Sequence, residues 1–572
     1  MRTSKRLVGL IAVGAASLLV ISACGTGSNS SGTQPNNQSK SFADCATKPL
    51  DCNSGDTKQG GTITYTIEKT ITGWNLDDTD SNTFDFQEVL DGVLPQGPFI
   101  NTPDLKPTMN SDMMVSVEQT STSPQTIVYK IKPEAVWNDG TPISADDFIY
   151  AWQTQNGTDC KDCAAASTAG YDQMQSVTGS DGGKTVTVVY KKAYADWKGP
   201  FGPLYPAHVA KQHGDLAASW KWFNENVPNY SGGPYQISDY QKDTSVTETP
   251  NPKWYGKVKP KLDKLVFRII TDQTQEVTAL QNNEVQAIYP QPNSDIVNQV
   301  KQIQGVQYVL GKGLQWEHLD LNLKNTALAD TKLRQAIFTA VDRKAIIDKT
   351  IGQFVPGAAP LNNHNFMPGQ AGYKDTVTAT GQGTGDVTKA KQMLTDAGYK
   401  GVGTALQTPS GQPVTLRISY TQGNVLRQQT CELIQNELAG LGIKVNVTPI
   451  ASLGKTLASG DYDIIIFAWV GTPFPFAGAQ QLWASTSDSN YGHWVNTQSD
   501  SLLSDAASQT DSQKAIDDLN QADTIMSQDA YVLPLFQKPT YLAAYKNIAN
   551  IRDDATQTGP PYNVQEWGIR AS

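Results

Sequence analysis

Histidine and cysteine are scarce, basic residues are outnumbered, and no long apolar run follows the N-terminus. Five His and six Cys occur in 572 residues, and Lys plus Arg number 45 against 55 Asp plus Glu, a net charge of -10. That balance excludes nucleic acid, whose phosphates are met by clustered Lys and Arg. One apolar stretch at the very start cannot make a polytopic membrane protein. His208, His213, His318, His364 and His493 form no HExxH or other compact ligand pattern, so neither a metal nor a cofactor is expected. A GxSxG elbow is missing, which removes one hydrolase signature. Gly183-Lys184-Thr185 and Gly454-Lys455-Thr456 lack the earlier Gly of a P-loop and read as turns. Asp77, Asp78 and Asp80 lack the Gly and distant Glu of a calcium loop and read as a solvated loop. Nothing here supports catalysis, and an enzyme is not expected. Twelve Trp, 22 Tyr and 38% hydrophobic residues do support a large folded body. Single cores rarely exceed roughly 250–300 residues, so two or three lobes are expected.

The N-terminus is an address. Arg2, Lys5 and Arg6 precede the apolar stretch 7–20, which is too short to span a bilayer comfortably. Ile21-Ser22-Ala23-Cys24 follows and resembles a bacterial lipobox. Residues 1–23 then form a lipoprotein signal peptide, and Cys24 carries the acyl chains, palmitate among them, that hold the protein to a membrane. Residues 24–59 open on Ser, Gly, Asn and Gln, the composition of a flexible tether. The body is placed on the outer face of the cytoplasmic membrane of a bacterium.

An exported chain permits disulfides. Cys45, Cys52, Cys160 and Cys163 are the candidates, and four cysteines allow three connectivities. Local pairing, Cys45 with Cys52 and Cys160 with Cys163, is the simplest. The rival for Cys160-Lys161-Asp162-Cys163 is a redox or zinc CxxC, which lacks a second ligand pair. Cys431, in a helical stretch, reads as a buried free thiol.

Periodicity locates the elements. Strands are expected at 62–67, 127–131, 185–190, 265–270, near 285–289, at 443–447 and at 531–536. Residues 463–470 form a continuous apolar run suited to a strand buried on both faces. Ser144 caps a helix with Phe148, Ile149 and Trp152 on its face, and Asp330 caps one through Leu333, Ala336 and Ile337. Further helices are expected at 387–397, 425–438 and 511–527. The segment 265–289 reads as a compact βαβ-like unit. Long helices alternating with apolar strands make the class α/β.

Several stretches resemble one family. Trp137-Asn138-Asp139-Gly140-Thr141-Pro142-Ile143-Ser144-Ala145-Asp146-Asp147 is similar to the signature W-x-D-G-x-P-x-(S/T)-A-x-D of family 5 (cluster C) solute-binding lipoproteins of ABC importers. Gly232-Gly233-Pro234-Tyr235, Asn251-Pro252-Lys253-Trp254-Tyr255, Leu333-Arg334-Gln335-Ala336, Val341-Asp342-Arg343 and Leu533-Pro534-Leu535-Phe536 follow in the family's order. The resemblance spans about residues 60–570. Read as residues, the signature is structural: Asn138-Asp139-Gly140 suits a hairpin turn, and Ser144 with Asp147 suits a capping box. Trp137, Trp152 and Trp254 are expected in the core.

The resemblance implies a periplasmic-binding-protein-like type II fold. Two lobes are joined by crossover strands, with an extra subdomain in the first. The implied boundaries are 60–93, 206–320 and 539–572 for lobe 1, 94–205 for the extra subdomain, and 321–538 for lobe 2. It implies a monomeric receptor that encloses an oligopeptide or similar solute and hands it to ABC permease subunits. A sugar or glycolipid receptor on the same fold, or a hydrolase, is the alternative. Peptide-binding members carry, after the buried strand, a Trp and three residues later an Asp that pairs with the ligand's ammonium. Trp469 matches, but the acid position holds Thr472. Either another acid, Glu317, compensates, or the ligand lacks a free amine. Trp469, Gly471, Thr472, Trp316, Glu317, Trp74 and Tyr491 are the expected ligand-binding residues.

Overall fold

The computed structural model describes residues 41–45, 47–487 and 489–571. The signal peptide 1–23, Cys24 and the first part of the tether lie outside the described residues. Among the described residues no helix is long and apolar enough to cross a membrane.

Ten strands form one sheet that runs through both halves of the molecule. In spatial order they are Lys444–Ile450, Thr415–Thr421, Ile464–Val470, Val306–Leu321, Val532–Tyr545, Ala287–Ile288, Thr62–Ile67, Lys264–Ile269, Ser245–Pro250 and Tyr235–Gln241. Two of them, Val306–Leu321 and Val532–Tyr545, are 16 and 14 residues long. They pair antiparallel from Val306–Tyr545 to Asp320–Val532 and carry the chain between the lobes. The second was expected only over 531–536. Its pattern is broken by Pro534, Lys538 and Pro539, which a central strand rarely tolerates. Register shifts between Lys312 and Trp316 and between Glu317 and His318 accommodate them.

The buried strand Ile464–Val470 lies between Val306–Leu321 and Thr415–Thr421, and Ile464, Ile465, Ile466 and Phe467 are all buried, as its unbroken apolar run demands. The expected βαβ unit is split. Thr62–Ile67 inserts between Lys264–Ile269 and the short strand Ala287–Ile288, parallel to both.

The extra subdomain is a separate antiparallel sheet in the order Met114–Thr122, Gln125–Ile131, Thr185–Tyr190, Met174–Ser180. The helix Ala145–Gln155 contacts it and starts in a capping box between Ser144 and Asp147. Asp147 is a hub: its carboxylate also accepts the Ala207 N–H at 2.8 Å and the Trp137 Nε1–H at 3.4 Å. Burial pushes it up to about 6. Gly140 adopts φ +92° with open space around it, so the turn's backbone angle, not crowding, calls for glycine. The signature is therefore a structural knot. Asp147→Ala would strand three donors and should lower stability by about 2–3 kcal/mol, read as a shift in urea midpoint.

Cys45 pairs with Cys52 and Cys160 with Cys163, while Cys431 is free and buried. Four expectations need correction. Residues 41–45 and 47–59 are docked, not a free tether: Asn53 Nδ2 donates to Ile551 O at 2.9 Å, Lys58 N donates to Ile569 O, and Phe42 and Cys52 are buried. The Ser-, Gly-, Asn- and Gln-rich composition of a tether stops at residue 40. The Asp77–Asp80 segment is not a solvated loop, because Asp78 is buried and accepts the Trp220 Nε1–H at 2.7 Å. Burial likewise pushes Asp77 up to about 7. Trp254 is half-buried, not core, and caps its own turn through Nε1–H to Val258 O at 2.8 Å. Gly454 lies inside the helix Leu453–Ser459 rather than a turn.

Candidate functional site

Trp316 and Trp469 are register partners on the Val306–Leu321 and Ile464–Val470 strands. Alternation then puts His318 and Phe467 on the same face. The rings assemble there: Trp316 to His318 at 4.5 Å, His318 to Trp469 at 6.2 Å and 10°, and Trp469 to Tyr491 at 6.1 Å and 9°. Trp316 is buried, whereas Trp469 and Tyr491 are half-exposed. The face thus runs from a buried anchor to two accessible, nearly parallel rings. Among the described residues, Trp469 Nε1–H and His318 Nε2 are buried without a hydrogen-bond partner. His318 Nδ1 is held by Asp320 Oδ1 at 2.7 Å, which fixes its ring.

The strand leads into a tight segment. Gly471 N–H donates to Leu314 O at 2.9 Å, and a Cβ there would meet that oxygen at 3.2 Å. Thr472 is exposed; its hydroxyl donates to Phe474 O at 2.8 Å and accepts the Phe474 N–H at 3.0 Å. Its polar capacity is turned back on its own loop.

Glu317 points to the opposite face of its strand from Trp316. Arg427 Nη2 lies 2.8 Å and Lys538 Nζ 3.2 Å from its Oε1. Burial alone would raise its pKa, but Arg427 and then Lys538 hold it down at about 2. Glu317 is therefore not the free compensating acid that the sequence suggested; it is committed to two cations. Lys538, whose pKa burial lowers, also donates to Gln291 Oε1 at 3.4 Å. Gln291 N–H in turn donates to Glu68 Oε1 at 3.3 Å. Side chains from both halves meet at this lysine on the crossover strand.

Trp74 is apart from the ring face. It is buried in the first core, edge-on to Tyr240 at 5.0 Å and 89°, and its carbonyl accepts the Tyr205 hydroxyl. Sequence reasoning missed His318, Arg427 and Lys538. Arg427 did carry a signal: a cation in the first turn of the helix Val425–Ala439 opposes the helix dipole, so it needs an anion elsewhere.

These features define a two-lobed solute-binding protein with an aromatic face beside its crossover strands. A model of bacterial extracellular solute-binding proteins, family 5 Middle, matches residues 108–491. The chain is 30% identical over 504 residues to the oligopeptide-binding protein OppA of Mycobacterium tuberculosis and Mycobacterium bovis, spanning 86% of this chain and 82% of the relative. Among solved structures, the periplasmic EDTA-binding protein EppA matches with a TM-score of 0.89 and 37% identity, over 92% of this chain and 99% of that one. The oligopeptide-binding protein AppA of Bacillus subtilis, in complex with a nonapeptide, matches with a TM-score of 0.74 and 20% identity, over 90% and 100%. The chain belongs to the bacterial extracellular solute-binding proteins of family 5.

Proposed function

We propose that this protein is the lipid-anchored receptor of an ABC importer. It captures an oligopeptide or similar solute between its lobes and delivers it to permease subunits, without chemistry of its own. Lobe 1 would comprise 60–93, 206–320 and 539–572, the extra subdomain 94–205, and lobe 2 321–538. Cys24 would carry the anchor, and the protein would act as a monomer. The observation that carries the reading is the accessible pair Trp469 and Tyr491 beside the Gly471–Thr472 segment. Flat rings offer large contact area at low entropic cost and tolerate varied solutes.

Thr472 and Glu317 together refine the solute. An ammonium buried without a carboxylate is costly, and neither residue offers one. The solute in this subsite then lacks a free amine. A second reading follows: an aminopolycarboxylate chelate. It is favoured by the 37% identity to an EDTA-binding protein.

Native mass spectrometry of the purified protein tests both. A co-purified peptide series supports the first reading, and a metal–polycarboxylate mass supports the second. A sugar or glycolipid mass, or turnover of any peptide that is lost on one Ser or His substitution, contradicts both. Thr472→Asp should raise affinity for peptides with a free N-terminus about tenfold, as a buried charge pair allows, and leave N-acetylated peptides unchanged. Equal response of the two series in calorimetry places the ammonium subsite elsewhere.

A further inference from the structure

The helix Pro475–Trp483 begins without a cap of its own. Phe474 sits at the N-cap and makes no side-chain cap bond, and Pro475 in the first turn has no N–H. The next amides are orphan donors that need an acceptor. The acceptor comes from far away in the chain. Asp196 Oδ2 accepts the Ala477 N–H at 2.7 Å across 281 residues, and the Phe476 N–H also serves this carboxylate.

Asp196 lies in the loop that follows the strand Thr185–Tyr190 of the extra sheet. It is buried, at 5% exposure. Two neighbouring contacts reinforce it. Ala195 N–H donates to Ala507 O at 2.9 Å, at the end of the helix Thr497–Ala507. A Cβ on Gly199 would stand 3.4 Å from Phe474 Cδ2, so the loop lies flush on the residue before the helix. The helix directly follows the segment that carries Gly471 and Thr472. Its start therefore sets where that segment stands.

We propose that Asp196 is an inter-lobe latch: the extra subdomain completes the N-terminus of the Pro475–Trp483 helix when the cleft is closed, and so fixes the Trp469–Phe474 segment in its binding position. The inference rests on the reading that the lobes close around a solute. When they part, Phe476 and Ala477 lose their acceptor, and Asp196 regains water. The contact also holds the unliganded protein in the closed arrangement for part of the time, so the helix start would loosen whenever the lobes part and tighten whenever they meet.

Hydrogen exchange of the full chain, read by mass spectrometry over residues 474–480 without added solute, tests the latch. Asp196→Ala should speed exchange at Phe476 and Ala477 about tenfold, the scale of a lost helix cap. It should also enlarge the radius of gyration in solution scattering. Asp196→Asn, which keeps a carbonyl acceptor, should retain most of the protection. Gly199→Val keeps the carboxylate but wedges the loop from Phe474; it should speed exchange at the same two amides and keeps the test open if Asp196→Ala fails to fold. Wild-type exchange and dimensions in the Asp196→Ala and Gly199→Val proteins would overturn the latch. Because no solute is used, that failure is separate from any failure of solute binding at Trp469.

Discussion

Glu317→Ala is expected to destabilise the protein by about 3–5 kcal/mol, the scale for breaking a buried ion pair from one side. The loss arises because Arg427 and Lys538 would be left facing each other, with side-chain exposures of only 12% and 14%. A partial rescue identifies the cause. Lys538→Met in the Glu317→Ala background should recover part of the loss, since one stranded charge is removed. Urea unfolding followed by tryptophan fluorescence measures both. The same triad fixes a pH limb. Glu317 is held at about 2 in the folded protein, below its unfolded value of about 4. Its contribution is therefore complete above about pH 4 and disappears as pH falls through about 2. A single-variant loss below about 1 kcal/mol would mean that the three groups are not coupled.

Stability is expected to fall as pH rises from about 5 to about 8, by on the order of 3–6 kcal/mol. The first lobe buries carboxyls without cations. Burial pushes Glu88, Asp91, Glu248 and Glu276 well above the usual carboxylate range and Asp554 up to about 8. Glu88 retains one partner, the Tyr65 hydroxyl, which donates at 2.6 Å. Among the described residues neither carboxyl oxygen of Glu248 has a hydrogen-bond partner. These groups hold protons in the fold at a pH where the unfolded chain has released them. Folding therefore binds protons between about pH 4 and pH 8, and stability must decrease through that interval. Melting temperatures at pH 5.5 and 8.5 test this, with the acidic value higher. Glu248→Gln, which cannot ionise, should flatten the slope. A flat or rising profile would mean that these carboxyls are ionised and solvated.

Much of the scaffold was readable because its elements obey local rules. Leu333, Ala336 and Ile337 recur at helical spacing behind the Asp330 cap, and the helix spans Thr331–Ala340. The apolar run at 463–470 suits a strand covered on both faces, and Ile464 to Phe467 are buried, while Trp469 and Val470 emerge at its end. The crossover strands were harder. Gly311, Lys312 and Gly313 interrupt one, and Pro534, Lys538 and Pro539 interrupt the other, so neither looks like a long strand. Their continuity is a property of the pair. In the candidate site, Trp316 and Trp469 were found as residues, but their being register partners was not visible. Glu317 was misread for the same reason. Its partners lie 110 and 221 positions away, and no local pattern reports them. Asp196 carries no local signal in the sequence, and only the missing cap at Phe474 and Pro475 shows that an acceptor must come from elsewhere.

The central claim is that solute binds on the accessible rings of Trp469 and Tyr491 beside Thr472. Titration calorimetry of wild type and Trp469→Ala against free peptides, N-acetylated peptides and Fe(III)-EDTA measures it directly. The account predicts that one N-blocked or polycarboxylate probe binds the wild type and loses about tenfold or more in affinity with Trp469→Ala, the scale of a buried aromatic anchor. Undiminished binding by Trp469→Ala of whichever probe the wild type takes would contradict it.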